Sequence, residues 1–356
     1  MKFITRDAIE NWLDHLAQDE EVDLIAPRDV DGHTMYRPVE RVDDILLEYE
    51  RPELSVKEYL FPATETLLRV RKRRGNVEQE EVLPNTKQVI FGVRPCDAHG
   101  LAVIDALFIA AEPADIYYRH HRERTLLVGM ACPRMWEGCF CTAMGGGPDD
   151  PTHLDVLLRA VVGGYSVEII TEKGRSWFKD LPMEERLGEP PASVTTDEAS
   201  TLPMTSPQDW RTQFTNNALW MRHGERCLSC RICTYVCPTC RCFDLTDRVV
   251  AEHDGTTHIE RIRAWDACTS PNYRRAAGGH NSRPTKPDRL RNRFFCKFCY
   301  YPEDFGPLGC VGCGRCIVAC PVGIDITEVM RDIASAVTSS YRDRDAPTSE
   351  PGKRMI

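Results

Sequence analysis

Two runs of cysteine carry the most specific chemistry in this chain. Cys227-x2-Cys230-x2-Cys233-x3-Cys237-Pro238 and Cys310-x2-Cys313-x2-Cys316-x3-Cys320-Pro321 share one spacing. Three thiolates separated by two residues can wrap one face of an iron–sulfur cube. The fourth cysteine, three residues on and followed by proline, points away and serves the other cube. The expected ligand sets are therefore Cys227, Cys230, Cys233 and Cys320 for one [4Fe–4S] cluster, and Cys310, Cys313, Cys316 and Cys237 for a second. Structural zinc sites use two CxxC pairs joined by a longer loop, so a repeated four-cysteine run argues against zinc. Arg231 and Arg315 lie inside the runs, either as charges that raise a cluster potential or as solvated surface residues.

The chain has 17 cysteines among 356 residues, with four between Cys96 and Cys141 and thirteen between Cys227 and Cys320. Asp7 and Glu10 interrupt the amino terminus where an export signal needs apolar residues, so a reducing cytoplasmic setting is expected and a disulfide framework is not. Cys96 lies in Gly92-Val93-Arg94-Pro95-Cys96-Asp97, directly after an expected strand, and Cys132 in Ala131-Cys132-Pro133 after another. With Cys139 and Cys141 nearby, these four could meet around a third cluster. A set of buried thiols at an active or partner-facing edge is the alternative. Cys240, Cys242, Cys268, Cys296 and Cys299 either build a further metal site, zinc included, or pack near the clusters, with packing favoured.

The elements that must position these residues give an α+β fold class. Residues 1–185 read as a mixed α/β domain. Ala8, Ile9, Trp12, Leu13 and Leu16 recur at helical spacing after a capping Thr5. Val89–Val93 and Leu126–Met130 read as strands, Ala98–Ala111 as a helix between them, and Val156–Val161 with Tyr165–Thr171 as a hairpin about Gly163-Gly164. Residues 186–208 are Pro-, Ser- and Thr-rich and suit a linker. Residues 209–340 are expected to be a mainly helical domain, since no strand alternation stands out between Cys227 and Cys320. Ser206-Pro207 reads as the start of a helix carrying Trp210 and Phe214 toward Cys227, and Asp325 as the cap of another over Ile326–Val337. Residues 341–356 read as a polar, frayed tail.

Composition narrows the function classes. A formal net charge of −9 speaks against nucleic acid as a partner, because phosphate binding needs a basic face. The longest apolar stretches, such as Ala106–Ala111, are too short to cross a bilayer, so no membrane insertion is expected. No GxGxxG follows an expected strand, which leaves flavin and nicotinamide without a binding site on this chain. Gly145-Gly146-Gly147-Pro148 could approach a phosphate or form a plain loop, with the plain loop favoured.

Five motifs occur here in one order: Gly92–Asp97, Cys132-Pro133 with Cys139-Phe140-Cys141, Cys237-Pro-Thr-Cys-x-Cys-Phe-Asp244, Trp265-Asp266-x-Cys268, and Cys310-Val-Gly-Cys-Gly-Arg-Cys316. From Val89 to Ile326 the chain resembles the iron–sulfur subunit of anaerobic sulfite reductase and the beta subunit of cytoplasmic NAD(P)-linked sulfhydrogenases. Residues 1 to 85 match only loosely, and Cys296 and Cys299 fall outside the pattern. The 72 residues between Cys237 and Cys310 also resemble the long connection of the α-helical ferredoxin domain in respiratory and heterodisulfide reductases. The resemblance implies an electron-relay subunit with no catalytic residue of its own. It would work between a partner holding FAD and NAD(P) and a terminal subunit of hydrogenase or sulfite-reductase type. The alternatives are an input subunit feeding a heterodisulfide-reductase-like complex or direct reduction at a cluster. The last lacks the Cys-Cys dipeptides that mark such a subunit.

Overall fold

The computed structural model describes residues 1–190, 192–195, 201–273 and 275–345. Its strands are β1 (Lys2–Thr5), β2 (Val22–Val30), β3 (His33–Pro38), β4 (Thr64–Arg73), β5 (Asn76–Glu81), β6 (Lys87–Val93), β7 (Thr125–Met130), β8 (Val156–Val161), β9 (Gly164–Ile169), β10 (Glu184–Glu185), β11 (Phe243–His253) and β12 (Thr256–Trp265). Eight form a mixed sheet in the order β10-β1-β9-β8-β7-β6-β2-β3, parallel through β2, β6, β7 and β8. The other four form the antiparallel sheet β11-β12-β4-β5. The fold is α+β, as the sequence predicts.

Strands β6 and β7 are buried on both faces, which explains their unbroken apolar composition. Val89, Phe91, Leu126 and Val128 face the helices Arg6–Ala17 and Glu172–Phe178. Ile90, Val93 and Leu127 face the helices Pro95–Phe108 and Ile116–Arg124 through Leu101, Ile104, Phe108 and Tyr118. Thr5 caps the first helix by accepting from the Ala8 N–H at 3.2 Å. Parallel strands packed in this way open a crevice at their carboxyl ends. Arg94–Cys96 follow β6 directly, and Cys132 comes two residues after β7.

The hairpin β11–β12 adds two long strands to a second half that the sequence reads as mainly helical. Its faces are largely solvated, so no apolar alternation announces it. The missed signal was the turn: Asp254 (φ 49°) and Gly255 (φ 70°) are both left-handed, the backbone of a two-residue hairpin loop. β12 then pairs with β4, so this sheet takes two strands from each side of residues 186–208.

The helix expected after Ser206 has its capping box with Asp209 but ends at Thr212. A second begins at Asn217, capped by Asn216. Trp210 is buried and stacks on Phe298, whereas Phe214 stays partly exposed. Asp325 accepts from the Thr327 N–H at 2.7 Å, and the helix beyond it, Ile326–Asp345, runs into the segment expected to fray. Residues 346–356 lie outside the described residues, as do 191 and 196–200 of the expected linker. Among the described residues no helix is long and apolar enough to cross a membrane.

Arg263 on β12 ties the four-stranded sheet to the helix Ile116–Arg124. It is 1% exposed and donates to Glu65 of β4 at 2.6 Å and to Asp115 at 2.6 Å, while His121 meets Glu65 at 2.8 Å. Burial pushes the Glu65 carboxyl up, but the hydrogen bonds and charges of His121 and Arg263 outweigh it and hold the pKa below the ordinary value. Arg263→Met leaves two carboxylates without their buried partner, so chemical denaturation at neutral pH should read a loss of about 3–5 kcal/mol. A depressed carboxyl contributes its stability above the unfolded pKa and loses it as pH falls through the folded value. The gap between variant and parent should therefore narrow in acid, and a gap that widened there would refute the pairing.

Candidate metal centre

The two cysteine runs adopt the same backbone. In the second, Gly312 (φ 65°) and Gly314 (φ 72°) are left-handed. In the first, the equivalent positions are Ser229 (φ 56°) and Arg231 (φ 71°). The second run needs glycine for a further reason, close approach. A Cβ on Gly312 would stand 2.4 Å from the Phe140 carbonyl oxygen, and one on Gly314 2.4 Å from that of Gly138. The first run accepts about 1–2 kcal/mol at each non-glycine position to keep the same path. Each run then enters a one-turn helix, Ile232–Tyr235 or Arg315–Val318, before its Cys-Pro.

Cys227, Cys230, Cys233 and Cys320 line one cavity, together with Cys316, Arg293 and Thr269. Arg226 ties the start of the first run to the end of the second by donating to the carbonyls of Val322 at 3.2 Å and Gly323 at 2.7 Å. Main-chain N–H groups already point at sulfur, Ser229 to Cys227 at 3.3 Å and Ile324 to Cys320 at 3.2 Å. Cys230 is exposed, so this chamber reaches the surface.

The second set lies deeper. Cys237, Cys310 and Cys313 are buried, and Cys316 interacts electrostatically with all three. Lys297, 4% exposed, donates to the Cys237 sulfur at 3.3 Å, to Thr239 Oγ1 at 2.9 Å and to the Gly309 carbonyl at 2.8 Å. Burial works against its charge, but Cys237 and Cys240 raise its pKa above that of an ordinary lysine. One turn earlier, buried Arg293 donates to the Cys240 sulfur at 3.5 Å. A hydrogen bond from Cys240 holds the Cys237 thiol well below its usual range, and Lys297 and Arg293 add to this against burial.

Cys96, Cys132, Cys139 and Cys141 line another cavity with Arg51, Arg94, Gly312 and Cys313. Cys96 sits in the first turn of the helix that opens at Pro95. Cys139 and Cys141 are held by the Phe140 N–H, which donates to the Gly312 carbonyl at 2.8 Å. Arg51 spans two sets, donating to the Cys139 sulfur at 3.0 Å and to the Cys313 carbonyl. Burial pushes the Cys132 and Cys141 thiols up to about 12.

Both cavities hold polar atoms without a protein partner. Arg293 Nη2 and Thr269 Oγ1 are orphaned in the first, and Arg94 Nε beside the second. Buried donors left unpaired around clustered sulfurs are the complement of an anionic, sulfide-rich group, so the residues fit an iron–sulfur cluster. They do not fit one zinc ion, whose tetrahedral sulfurs stand about 3.8 Å apart. Among the described residues no three cysteine sulfurs lie within 4.8 Å of one another. His223, Glu328 and Asp332 do gather so closely, but Arg222 pairs with Asp332 and Arg226 with Glu328.

Of the five remaining cysteines, Cys240 interacts electrostatically with Cys237, and Cys299 is buried near Glu303. Cys296 lines a cleft with Cys242 and Cys268. Of the two roles expected for the charges in the runs, Arg231 takes the surface one, while Arg315 is buried. Arg315 is 2% exposed and spends its charge on Asp97 at 2.7 and 2.8 Å, and Arg231 lies at the surface 3.9 Å from Asp266. The cations nearest sulfur are Arg51, Lys297 and Arg293, which sequence reasoning missed; Arg293 and Lys297 are the two beside the deep set. Their spacing of four residues beside Cys296 was the available signal.

Residues 226–324 match the family described as a 4Fe-4S dicluster domain. The chain is 31% identical over 310 residues to sulfhydrogenase 2 subunit beta of Pyrococcus furiosus, covering 84% of this chain and 88% of that one. No solved structure matches it.

Replacing Lys297 by Met removes a buried positive charge beside Cys237. The added electron is then less stabilised, and the potential of the cluster held by that set should fall by on the order of 50–100 mV. An EPR-monitored redox titration reads this, and Lys297→Arg should restore most of it. An unchanged potential in the Met variant would mean the charge is screened.

Proposed function

The chain belongs to the family of the sulfhydrogenase beta subunit, and on that premise we propose that it is the electron-relay subunit of a multi-subunit oxidoreductase. Single electrons would pass through [4Fe–4S] clusters on its cysteines. The donor or acceptor at one end is a partner binding FAD and NAD(P), and at the other a terminal subunit of hydrogenase or sulfite-reductase type. The observation that carries the reading is the order of the three cysteine sets. Cys316 of the deep set lines the first cavity, and Cys313 of the same set lines the cavity of Cys96, Cys132, Cys139 and Cys141. The deep set therefore stands between the other two, as the middle station of a line.

On this reading Cys227, Cys230, Cys233 and Cys320 hold one cluster, and Cys237, Cys310, Cys313 and Cys316 the next. Cys96, Cys132, Cys139 and Cys141 hold a third. Bound there, a cluster supplies a one-electron couple and no proton chemistry. The protein excludes water from the middle set by burial and places cations against its sulfurs, while exposed Cys230 offers a surface end for transfer. On this reading the half-reactions of NAD(P)H and of the terminal hydrogenase- or sulfite-reductase-type subunit belong to partners, and this chain carries electrons between them.

Anaerobic purification with an iron count tests the number of stations. About twelve irons per chain are expected, and about eight would remove the third set from the relay. Cys132→Ser should lose about four of the twelve, whereas Cys233→Ser should disrupt a different EPR signal. Co-purified partners identified by mass spectrometry should include a flavoprotein. Rapid turnover of NADH, sulfite or hydrogen by the isolated chain would overturn the relay.

A further inference from the structure

Cys242 and Cys268 take no part in the three sets, yet the base of the β11–β12 hairpin brings them together. Phe243 pairs with Trp265, and one step further the Asp266 N–H donates to the Cys242 carbonyl at 2.9 Å. The chain then bends so that Cys242, Cys268 and Tyr273 line one cleft. The pair is asymmetric. The neighbouring Cys268 thiol, helped by Tyr273 and Arg241 against burial, holds Cys242 down to about 6, and Cys242 in turn pushes Cys268 well above the ordinary thiol range.

Both open onto a cleft of about 710 Å³. Its walls carry Arg241, Arg275 and Arg283 against Asp244 and Asp266. Arg283 donates to Asn292 at 2.8 Å, and Arg241 lies over the Tyr301 ring with Cys296 Sγ at 4.0 Å. On the other side, Thr269, the residue after Cys268, lines the chamber of Cys227, Cys230, Cys233 and Cys320. A dithiol thus stands with one side on an open cleft and the other one residue from a cluster chamber.

We propose that Cys242 and Cys268 form a dithiol–disulfide couple that reduces a small anionic disulfide in this cleft. The Cys242 thiolate attacks one substrate sulfur, forming a mixed disulfide and releasing the first thiolate, which takes the Cys268 proton. Cys268 sulfur then attacks Cys242 sulfur, closing the Cys242–Cys268 bond and releasing the second thiolate, which takes a proton from water. Two electrons and one proton reopen that bond to a thiolate and a thiol. Overall, one disulfide, two electrons and two protons give two thiols. The electrons arrive singly from the adjacent chamber, so the inference rests on the relay reading.

The test uses the anaerobic holoprotein with glutathione disulfide as probe, followed by acid quenching, alkylation and peptide mass spectrometry. A Cys242–Cys268 cross-linked peptide should form in most chains and revert to thiols when dithionite has reduced the clusters. Cys268→Ser should trap glutathione on Cys242, and Cys242→Ser should form neither product, with iron content and cluster EPR signals retained in both. The iron count and EPR report on the relay separately from the peptide map. With them intact, the absence of the cross-link or glutathione trapped at Cys296 instead would overturn the couple; so would loss of bound metal in Cys242→Ser, which would make Cys242 a ligand.

Discussion

The pair between Asp97 and Arg315 holds the metal centre to the sheet. Asp97 is fully buried in the first turn of the helix after β6 and accepts both ends of the Arg315 guanidinium fork. Tyr36 adds its hydroxyl to the carboxylate, and the Pro52 carbonyl takes the remaining Arg315 donor at 2.8 Å. Two charges withdrawn this far from water are tolerated only when their hydrogen bonds are met. That requirement fixes one geometry. The turn carrying Cys96 and the run carrying Cys313 and Cys316 must meet at a set distance and angle, and two of the cysteine sets inherit their relative placement from it.

Around this anchor, positive charge is distributed by depth. At the surface, Arg226 and Arg231 are shared with carboxylates. In the interior, Lys297, Arg293 and Arg94 face sulfur and carbonyl oxygen, with no carboxylate among their hydrogen-bond partners in the described residues. Buried cations so arranged are costly for an empty protein and favourable beside anionic thiolates. The interior is thus matched to a group that carries negative charge, and its stability is tied to holding one.

Much of the arrangement was legible in the sequence because it is local. The cysteine spacings, the Thr5 and Ser206 caps and the two-sided apolar strands β6 and β7 each depend on neighbours within a few residues. What was not legible depends on long separations. The β11–β12 hairpin buries little, so its only mark was the Asp254-Gly255 turn, and its pairing with β4 joins residues nearly two hundred apart. Arg293 and Lys297 read as surface charges of an amphipathic helix until the fold turns that face toward Cys233, Cys237 and Cys240. Arg315 reads as a tuning charge until its partner is known. The convergence of Cys96, Cys132, Cys139 and Cys141 in one cavity follows from adjacent parallel strands, which spacing alone does not encode.

The exchange of last cysteines between the two runs also sets a timetable. A ribosome delivers Cys96 to Cys141 first, on strands that can pair at once, but the wall of that cavity formed by Gly312 and Cys313 emerges some 170 residues later. Neither of the other two sets has all four sulfurs until Cys316 and Cys320 have left the tunnel. For most of its synthesis the chain therefore carries thiols whose partners have not yet been made, and completion of the cysteine sets waits on residues 310–320.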